Sequence, residues 1–189
     1  MLGPGDLDVP DLDVEGTDLP PMARPLLARD RVRYQGEALA VVVAESEREA
    51  VDAAELIWAD IDPLRAVVTP EAALSDEVVI HPDVGTNVVD RSSVSDPGGW
   101  EFEVDVELTL RNQRLAPVPI EPLAVLAEPS VRGVRLWATH QAPHRLKATL
   151  RSLLGVEVEV IVPDVGGGFG MKGRFYPEYA VVAAAALRR

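Results

Sequence analysis

The first half of the chain contains short apolar runs around one helical pattern. The runs RVRY and ALAVVVA flank the Gly-containing turn QGE, which is typical of a β-hairpin. Ser46 and Glu49 form an S-x-x-E capping box, and apolar residues recur after it at helical spacing. IWADID then predicts a strand. The order β-β-α-β predicts a compact α+β unit over 25–75.

The second half, from Trp100, predicts four further strands and a helix before a Gly-rich stretch. WEFEVDVELTL alternates apolar and charged residues, and LAVLAE and VRGVRLWAT follow it as strands joined by the turn EPSVRG. APHRLKATLRSLLG has leucines on one helical face, with Pro143 in its first turn and Gly155 at its C-terminal cap. VEVEVIV predicts the strand that leads into the Gly-rich stretch.

The last predicted helix, YPEYAVVAAAALRR, is apolar nearly all round, which indicates a buried helix. We expect this helix to have no element that covers it. We therefore interpret the chain as cut within a domain and expect it to expose a hydrophobic patch.

Turn-forming residues divide the chain into four parts. Residues 1–24 are acidic and Pro-rich and predict an extended or loose segment. Residues 76–99 are rich in Ser, Asp, Pro and Gly and predict a connecting segment between the unit at 25–75 and a second unit at 100–189.

Composition and charge narrow the class of protein. The 189 residues are 47% hydrophobic and 26% charged, which is typical of a folded, soluble chain. A net charge of −13 argues against nucleic-acid binding and against adsorption to anionic membranes. There is no cysteine, no secretory signal and no apolar stretch long enough to span a bilayer, so we expect a cytoplasmic protein without membrane insertion.

The stretch DVGGGFGMKG at 164–173, here called the Gly-rich loop, follows the last predicted strand. It is not a dinucleotide fingerprint, because Met171 stands where the third glycine belongs, and it lacks the G-K-[ST] ending of a phosphate loop. Two interpretations remain open. Either a bulky non-protein group packs against the exposed backbone, or the loop is a tight turn between a strand and a helix.

The histidines give little evidence for a metal site. His140 and His144 are four residues apart, but Pro143 lies between them, which argues against a helical pair of ligands. His81 stands alone in the connecting segment.

Several polar residues near the predicted strand ends are further candidates. Gln141 lies where a strand gives way to a helix, and its side chain either enters a cleft or is a capping or solvated amide. Glu121, between two prolines, is either a catalytic acid or a carboxylate that fixes a turn through backbone hydrogen bonds. Lys172 and Arg174 add positive charge that would suit an anionic ligand.

Several motifs together resemble the large, molybdenum-binding subunit of the xanthine dehydrogenase, aldehyde oxidase and carbon monoxide dehydrogenase family. IEPLAVLAE, LWATHQAPHRLKATLRSLLG and VIVPDVGGGFGMKG occur in the family order, in a form nearer the carbon monoxide dehydrogenase branch. The resemblance implies an α+β fold, in which 25–75 is the later part of an α/β hammerhead domain. Residues 100–189 would then be the first part of a molybdopterin-binding domain.

The resemblance also implies a cofactor and its contacts. Gly167, Gly168, Phe169 and Gly170 would contact molybdopterin, in its cytosine dinucleotide form with molybdenum, and Gln141 would hydrogen-bond to it. The implied partners are the remainder of the molybdenum subunit and iron–sulfur and FAD subunits. The family's catalytic glutamate has no counterpart in this chain, so we expect neither a catalytic residue nor a protein ligand to the metal here.

We therefore interpret the chain as a fragment of a molybdenum hydroxylase large subunit, an oxidoreductase, that supplies one wall of the cofactor site. We expect the fragment alone to be inactive. The alternative is a non-catalytic remnant or an assembly module of such a complex. The substrate stays open between carbon monoxide, an aldehyde and an N-heterocycle.

Overall fold

A computed structural model of the chain describes residues 1–7, 9–11, 24–93, 95, 98–99, 101, 103–104 and 106–188. In these ranges the chain has mixed α and β structure. The elements, in chain order, are α1 (Glu47–Glu55), α2 (Pro70–Leu74), β1 (Val125–Ser130), β2 (Gly133–Ala138), α3 (Pro143–Leu154), β3 (Glu157–Ile161) and α4 (Pro177–Leu187). A short 3₁₀ turn spans Met171–Gly173.

The three strands form one sheet in the order β1-β2-β3. β1 and β2 are antiparallel neighbours joined by a tight turn at Val131 and Arg132, as the EPSVRG motif predicts. β3 is parallel to β2, and α3 makes the connection between them. Pro143 opens α3, and Gly155 ends it in the left-handed conformation with a φ of 66°. The predictions for these elements are confirmed.

The core lies between one face of the sheet and helices α3 and α4. Val134, Leu136 and Ala138 alternate along β2 toward this face, and the leucines of α3 cover it. The predicted burial of α4 is confirmed, since most of its residues are buried: Tyr179, Ala180, Val181, Ala183, Ala184 and Ala186. The expectation that nothing covers this helix is wrong, because α4 packs on β1, β2 and α3. Apart from Leu187 at the end of α4, the exposed large apolar side chains of the described residues lie outside this helix, as at Trp58, which is 87% exposed.

The opposite face of the sheet carries a row of charged side chains. Arg135 on β2 donates to Glu128 on β1 at 3.0 Å and to Glu159 on β3 at 2.7 Å. The three residues are register partners across the strands. Because all three are substantially exposed, each pair adds little stability, as is usual for surface ion pairs.

The first predicted unit is confirmed in its helix only. Both bonds of the capping box on α1 are present: Glu49 N–H donates to Ser46 Oγ at 3.3 Å, and Ser46 N–H donates to Glu49 at 3.1 Å. Neither the hairpin at 31–44 nor the strand at 57–62 forms. Val41 makes an isolated bridge to Leu2 instead.

The described part of the alternating pattern beyond Trp100 does not form a strand either. Trp100, Phe102 and Asp105 lie outside the described residues, and residues 106–110 are exposed. A strand requires a neighbour for its backbone groups, and within the described ranges no segment pairs with 57–62 or 106–110. Helix α2 was not predicted from the sequence, although Thr69 caps it by accepting from Ala72 N–H at 3.1 Å.

The remaining sequence predictions concern the chain ends and the domain limits. Leu7, Leu26 and Leu27 join the core, while 12–23 of the predicted loose segment lies outside the described residues. Limits at 24, 75 and 99, and the hammerhead assignment, stay predictions. In the part of the chain that the structure describes, no helix is both long enough and apolar enough to cross a bilayer.

Candidate functional site

Two neighbouring strand ends bring the predicted site residues together. Gln141 follows β2, and the Gly-rich loop follows β3. Because β2 and β3 are parallel neighbours, their carboxyl ends lie side by side, which is the usual position of binding sites in such sheets. A Cβ atom added to Gly168 would lie 2.5 Å from Gln141 Oε1, so the two residues are in contact. Gln141 N–H also donates to the carbonyl of Lys172 at 2.9 Å.

The loop depends on glycine for two different reasons. Gly167 and Gly170 have φ angles of 90° and 84°, in the left-handed region that side chains disfavour. Phe169 between them also has a positive φ, of 48°, and this residue is 76% exposed. Gly168 has no such backbone requirement, and there it is the space beside Gln141 that excludes a side chain.

The centre of the loop presents hydrogen-bond donors without partners. Gly166 N–H donates to Glu121, and Gly167 N–H donates to Val165 at 2.9 Å. Among the described residues, the next three amides, of Gly168, Phe169 and Gly170, have no hydrogen-bond partner. The carboxamide of Gln141 likewise makes no hydrogen bond to the described chain. Such a row of donors suits an anionic or oxygen-rich group that approaches the backbone closely.

Glu121 anchors the Gly-rich loop through its carboxylate. Its Oε2 accepts from Gly166 N–H at 2.8 Å and pairs with the ammonium of Lys172. The hydrogen bond from Lys172, followed by that from the Gly166 amide, lowers the pKa of Glu121 below its ordinary value. The interpretation of Glu121 as a carboxylate that fixes a turn therefore agrees with the structure.

The positive charge expected beside the loop is only partly available. Lys172 is 0% exposed and paired with Glu121, so the expectation that its charge meets a ligand is wrong. Its ammonium lies inside the protein against the Glu121 carboxylate, which the sequence pattern did not reveal. Arg174 is exposed.

His140 fixes the backbone on both sides of the site. Its Nδ1 accepts from Ala142 N–H at 2.9 Å, so the neutral ring carries its proton on Nε2, which donates to the carbonyl of Arg174 at 3.2 Å. Burial is the main reason that its pKa is lowered, and the Tyr179 ring packs edge-on against it at 5.5 Å. This role was missed, since nothing in the sequence pattern distinguishes a buried from an exposed histidine.

No protein-ligated metal site accompanies this arrangement in the described ranges. There, no group of three or more His, Asp or Glu side chains is placed to hold a metal ion. His140 is buried and hydrogen-bonded through both nitrogens, while His144 on α3 is exposed. What the site offers is therefore backbone donors and a carboxamide.

Comparisons with known proteins match this region. Residues 80–189 match the family described as the molybdopterin cofactor-binding domain. The chain is 36% identical over 166 residues to the nicotine 6-hydroxylase large subunit of Paenarthrobacter nicotinovorans, covering 83% of this chain and 20% of that protein. It is 31% identical over 187 residues to the carbon monoxide dehydrogenase large chain of Afipia carboxidovorans, covering 86% and 23% respectively.

The fold is also similar to that of a solved relative. Quinoline 2-oxidoreductase from Pseudomonas putida 86 matches with a TM-score of 0.75 and 30% identity, over 97% of this chain and 25% of that one. The chain thus spans about a fifth to a quarter of the length of these relatives. Since the family match covers more than half of the chain and includes the Gly-rich loop, the resemblance seen in the motifs is confirmed. The chain belongs to the molybdopterin cofactor-binding family of the xanthine dehydrogenase and carbon monoxide dehydrogenase large subunits.

Proposed function

We propose that this chain supplies one wall of the cofactor site in the large subunit of a molybdenum hydroxylase. The observation that carries the proposal is the row of unpartnered amides at Gly168, Phe169 and Gly170 beside the free carboxamide of Gln141. A large anionic cofactor needs many donors at short range, and residues 167, 168 and 170 lack the Cβ atoms that would keep it away.

We further propose molybdopterin cytosine dinucleotide as the form of the cofactor. It is large and anionic, and the relatives named above are bacterial proteins. When bound, the molybdenum cofactor supplies the redox chemistry of these oxidoreductases. This chain's own residues contribute binding and orientation, and the rest of the subunit together with iron–sulfur and FAD subunits would complete the enzyme.

The test measures cofactor content rather than activity. The chain, with every polypeptide that co-purifies, is isolated from a bacterium that makes the cofactor, and molybdenum, pterin and acid-released CMP are measured per folded chain. We expect near-stoichiometric amounts in the wild type. Gly168→Val should lower them at least tenfold, because its branched side chain would clash with the Gln141 carboxamide and displace it from its place beside the amide row.

Gly155→Ala is the matched control. It places a side chain on a left-handed glycine of the same domain, where a Cβ atom meets nothing within 4 Å. It should cost some stability and retain the cofactor. A folded wild-type complex without molybdenum or pterin would overturn the proposal and favour the assembly-module alternative, and full loading of Gly168→Val would show that the loop is only a turn.

A further inference from the structure

One carboxylate oxygen joins both ends of the Gly-rich loop. Glu121 Oε2 accepts from the amide of Gly166 at the start of the loop and pairs with the ammonium of Lys172 at its end. The two contacts join residues that are 45 and 51 positions apart in the sequence. The amide row lies between the two anchor points, so a side chain from the segment before β1 holds it on both sides.

Lys172 extends this connection to the other half of the site. Its side chain is fully buried, and among the described residues its ammonium pairs with Glu121 alone. Its carbonyl accepts the amide of Gln141 at 2.9 Å. Lys172 therefore links Glu121, which its ammonium contacts, to Gln141, whose amide its carbonyl accepts.

Stability alone is a weak reason for such a pair. Removing a lysine ammonium from water carries a large desolvation cost, and apolar residues of similar volume often serve stability as well or better. The loop, in contrast, has few bonds of its own. Its internal bonds among the described residues are those from Gly167 to Val165, from Met171 to Gly168 and a long one from Gly173 to Gly170. It needs support from outside to keep one shape.

We propose that Glu121 and Lys172 are positioning residues, whose ion pair holds the amide row and Gln141 in the cofactor-binding arrangement before the cofactor arrives. Their importance for cofactor binding rests on the proposed function, while their effect on the loop does not. Neither residue needs to touch the cofactor, because each acts through Gly166, Gln141 or the loop backbone.

The test uses amide hydrogen exchange, followed by NMR, on the cofactor-free chain. The double variant Glu121→Gln/Lys172→Met keeps the side-chain volumes and removes both charges. We expect its thermal midpoint to stay close to that of the wild type, while the amides of Gln141 and Met171 exchange at least tenfold faster. Neither amide bonds to the carboxylate or the ammonium, so faster exchange would report the shape of the loop.

Two further variants make the result decisive. Arg135→Met removes the exposed ion pairs on the other sheet face and should leave both exchange rates unchanged. Glu121→Asp keeps the charge but shortens the side chain, so that it cannot reach Gly166 and Lys172 together, and it should give intermediate rates. It also keeps the proposal testable if the double variant does not fold. Wild-type exchange at Gln141 and Met171 in whichever of these two loop variants folds would overturn the proposal.

Cofactor content separates this proposal from the proposed function. The double variant should carry at least tenfold less molybdenum and pterin than the wild type. Fast exchange combined with a wild type that never carries cofactor would support the positioning role and overturn the proposed function. Unchanged exchange in the variants, combined with a wild type that carries the full amount of cofactor, would support the proposed function and overturn the positioning role.

Discussion

The side chain of Gln141 occupies the space that a side chain on residue 168 would need. A Cβ atom on Gly168 would lie 2.5 Å from Gln141 Oε1 and 2.6 Å from its Cδ, although the backbone there would accept any residue. The constraint at Gly168 thus comes from one flexible side chain. It can be removed by mutation, which makes the contact measurable.

Gly168→Ala should cost about 1 kcal/mol of unfolding free energy, at the low end for overpacking because the Gln141 side chain can move. In the Gln141→Ala background the same change should cost almost nothing, since the clashing atoms are gone. Urea unfolding of the four proteins gives the coupling energy directly. Equal costs in both backgrounds would show that the two residues do not compete for this space.

Gly133→Ala should destabilise the chain more than any loop variant. Its Cβ atom would overlap the carbonyl oxygen of Glu157 and lie 2.9 Å from the Glu157 nitrogen, and these are backbone atoms of the paired strand β3. We expect a loss of about 3 kcal/mol or more, since β3 must move. Gly155→Ala, a strained but unobstructed site, should lose about 1–2 kcal/mol. A loss for Gly133→Ala that is smaller than the loss for Gly155→Ala would contradict the register between β2 and β3.

Tyr179→Phe should leave stability unchanged or raise it by up to about 1 kcal/mol. The hydroxyl of Tyr179 is buried without a hydrogen-bond partner in the described chain, and burial raises its pKa to about 12. Removing it eliminates an unsatisfied polar group and keeps the ring contact with His140. Leu136→Ala, in the same core, is the comparison and should cost about 2–5 kcal/mol. A loss above 1 kcal/mol for Tyr179→Phe would reveal a partner for the hydroxyl.

His140 should make stability fall in acid. Because burial lowers its pKa below the ordinary 6.5, the unfolded chain takes up the proton first as the pH drops. The stabilisation is complete above pH 6.5 and is lost as the pH falls through the lower pKa of the folded state. The pKa of His81 is lowered as well, again mainly by burial, so both histidines contribute to the slope.

The measurement compares urea unfolding of wild type, His140→Gln and His81→Gln between pH 7.5 and 5. Each variant should show a shallower slope than the wild type over this range. A slope for His140→Gln identical to that of the wild type would mean that the ring takes up its proton as readily in the folded protein as in the unfolded chain. The bond from Ala142 N–H to Nδ1 would then not hold the ring neutral in acid.

The sequence predictions are accurate for elements whose packing partner is close in the sequence, and they fail for elements that need a distant partner. Pro143, Gly155 and the alternation in β3 are local signals, and the elements that they predict pair within the same stretch of chain. The runs at 31–44 and 57–62 carry similar patterns, but a pattern does not supply the second strand. The adjacency of Gln141 and the loop could be expected from the family motifs, whereas the burial of Lys172 could not. That burial depends on Glu121, which lies 51 residues earlier in the sequence.

The sheet connections also determine when the site can form during folding. The β1–β2 hairpin closes over a tight turn, and β3 can dock only after α3 has crossed back beside β2. The contact between Glu121 and Lys172 closes the longest of these intervals, and closing a longer loop has a higher entropic cost. We therefore expect the Gly-rich loop and Gln141 to be among the last parts to order in refolding. Under the proposed function, the cofactor would then be loaded onto a domain whose sheet is already complete.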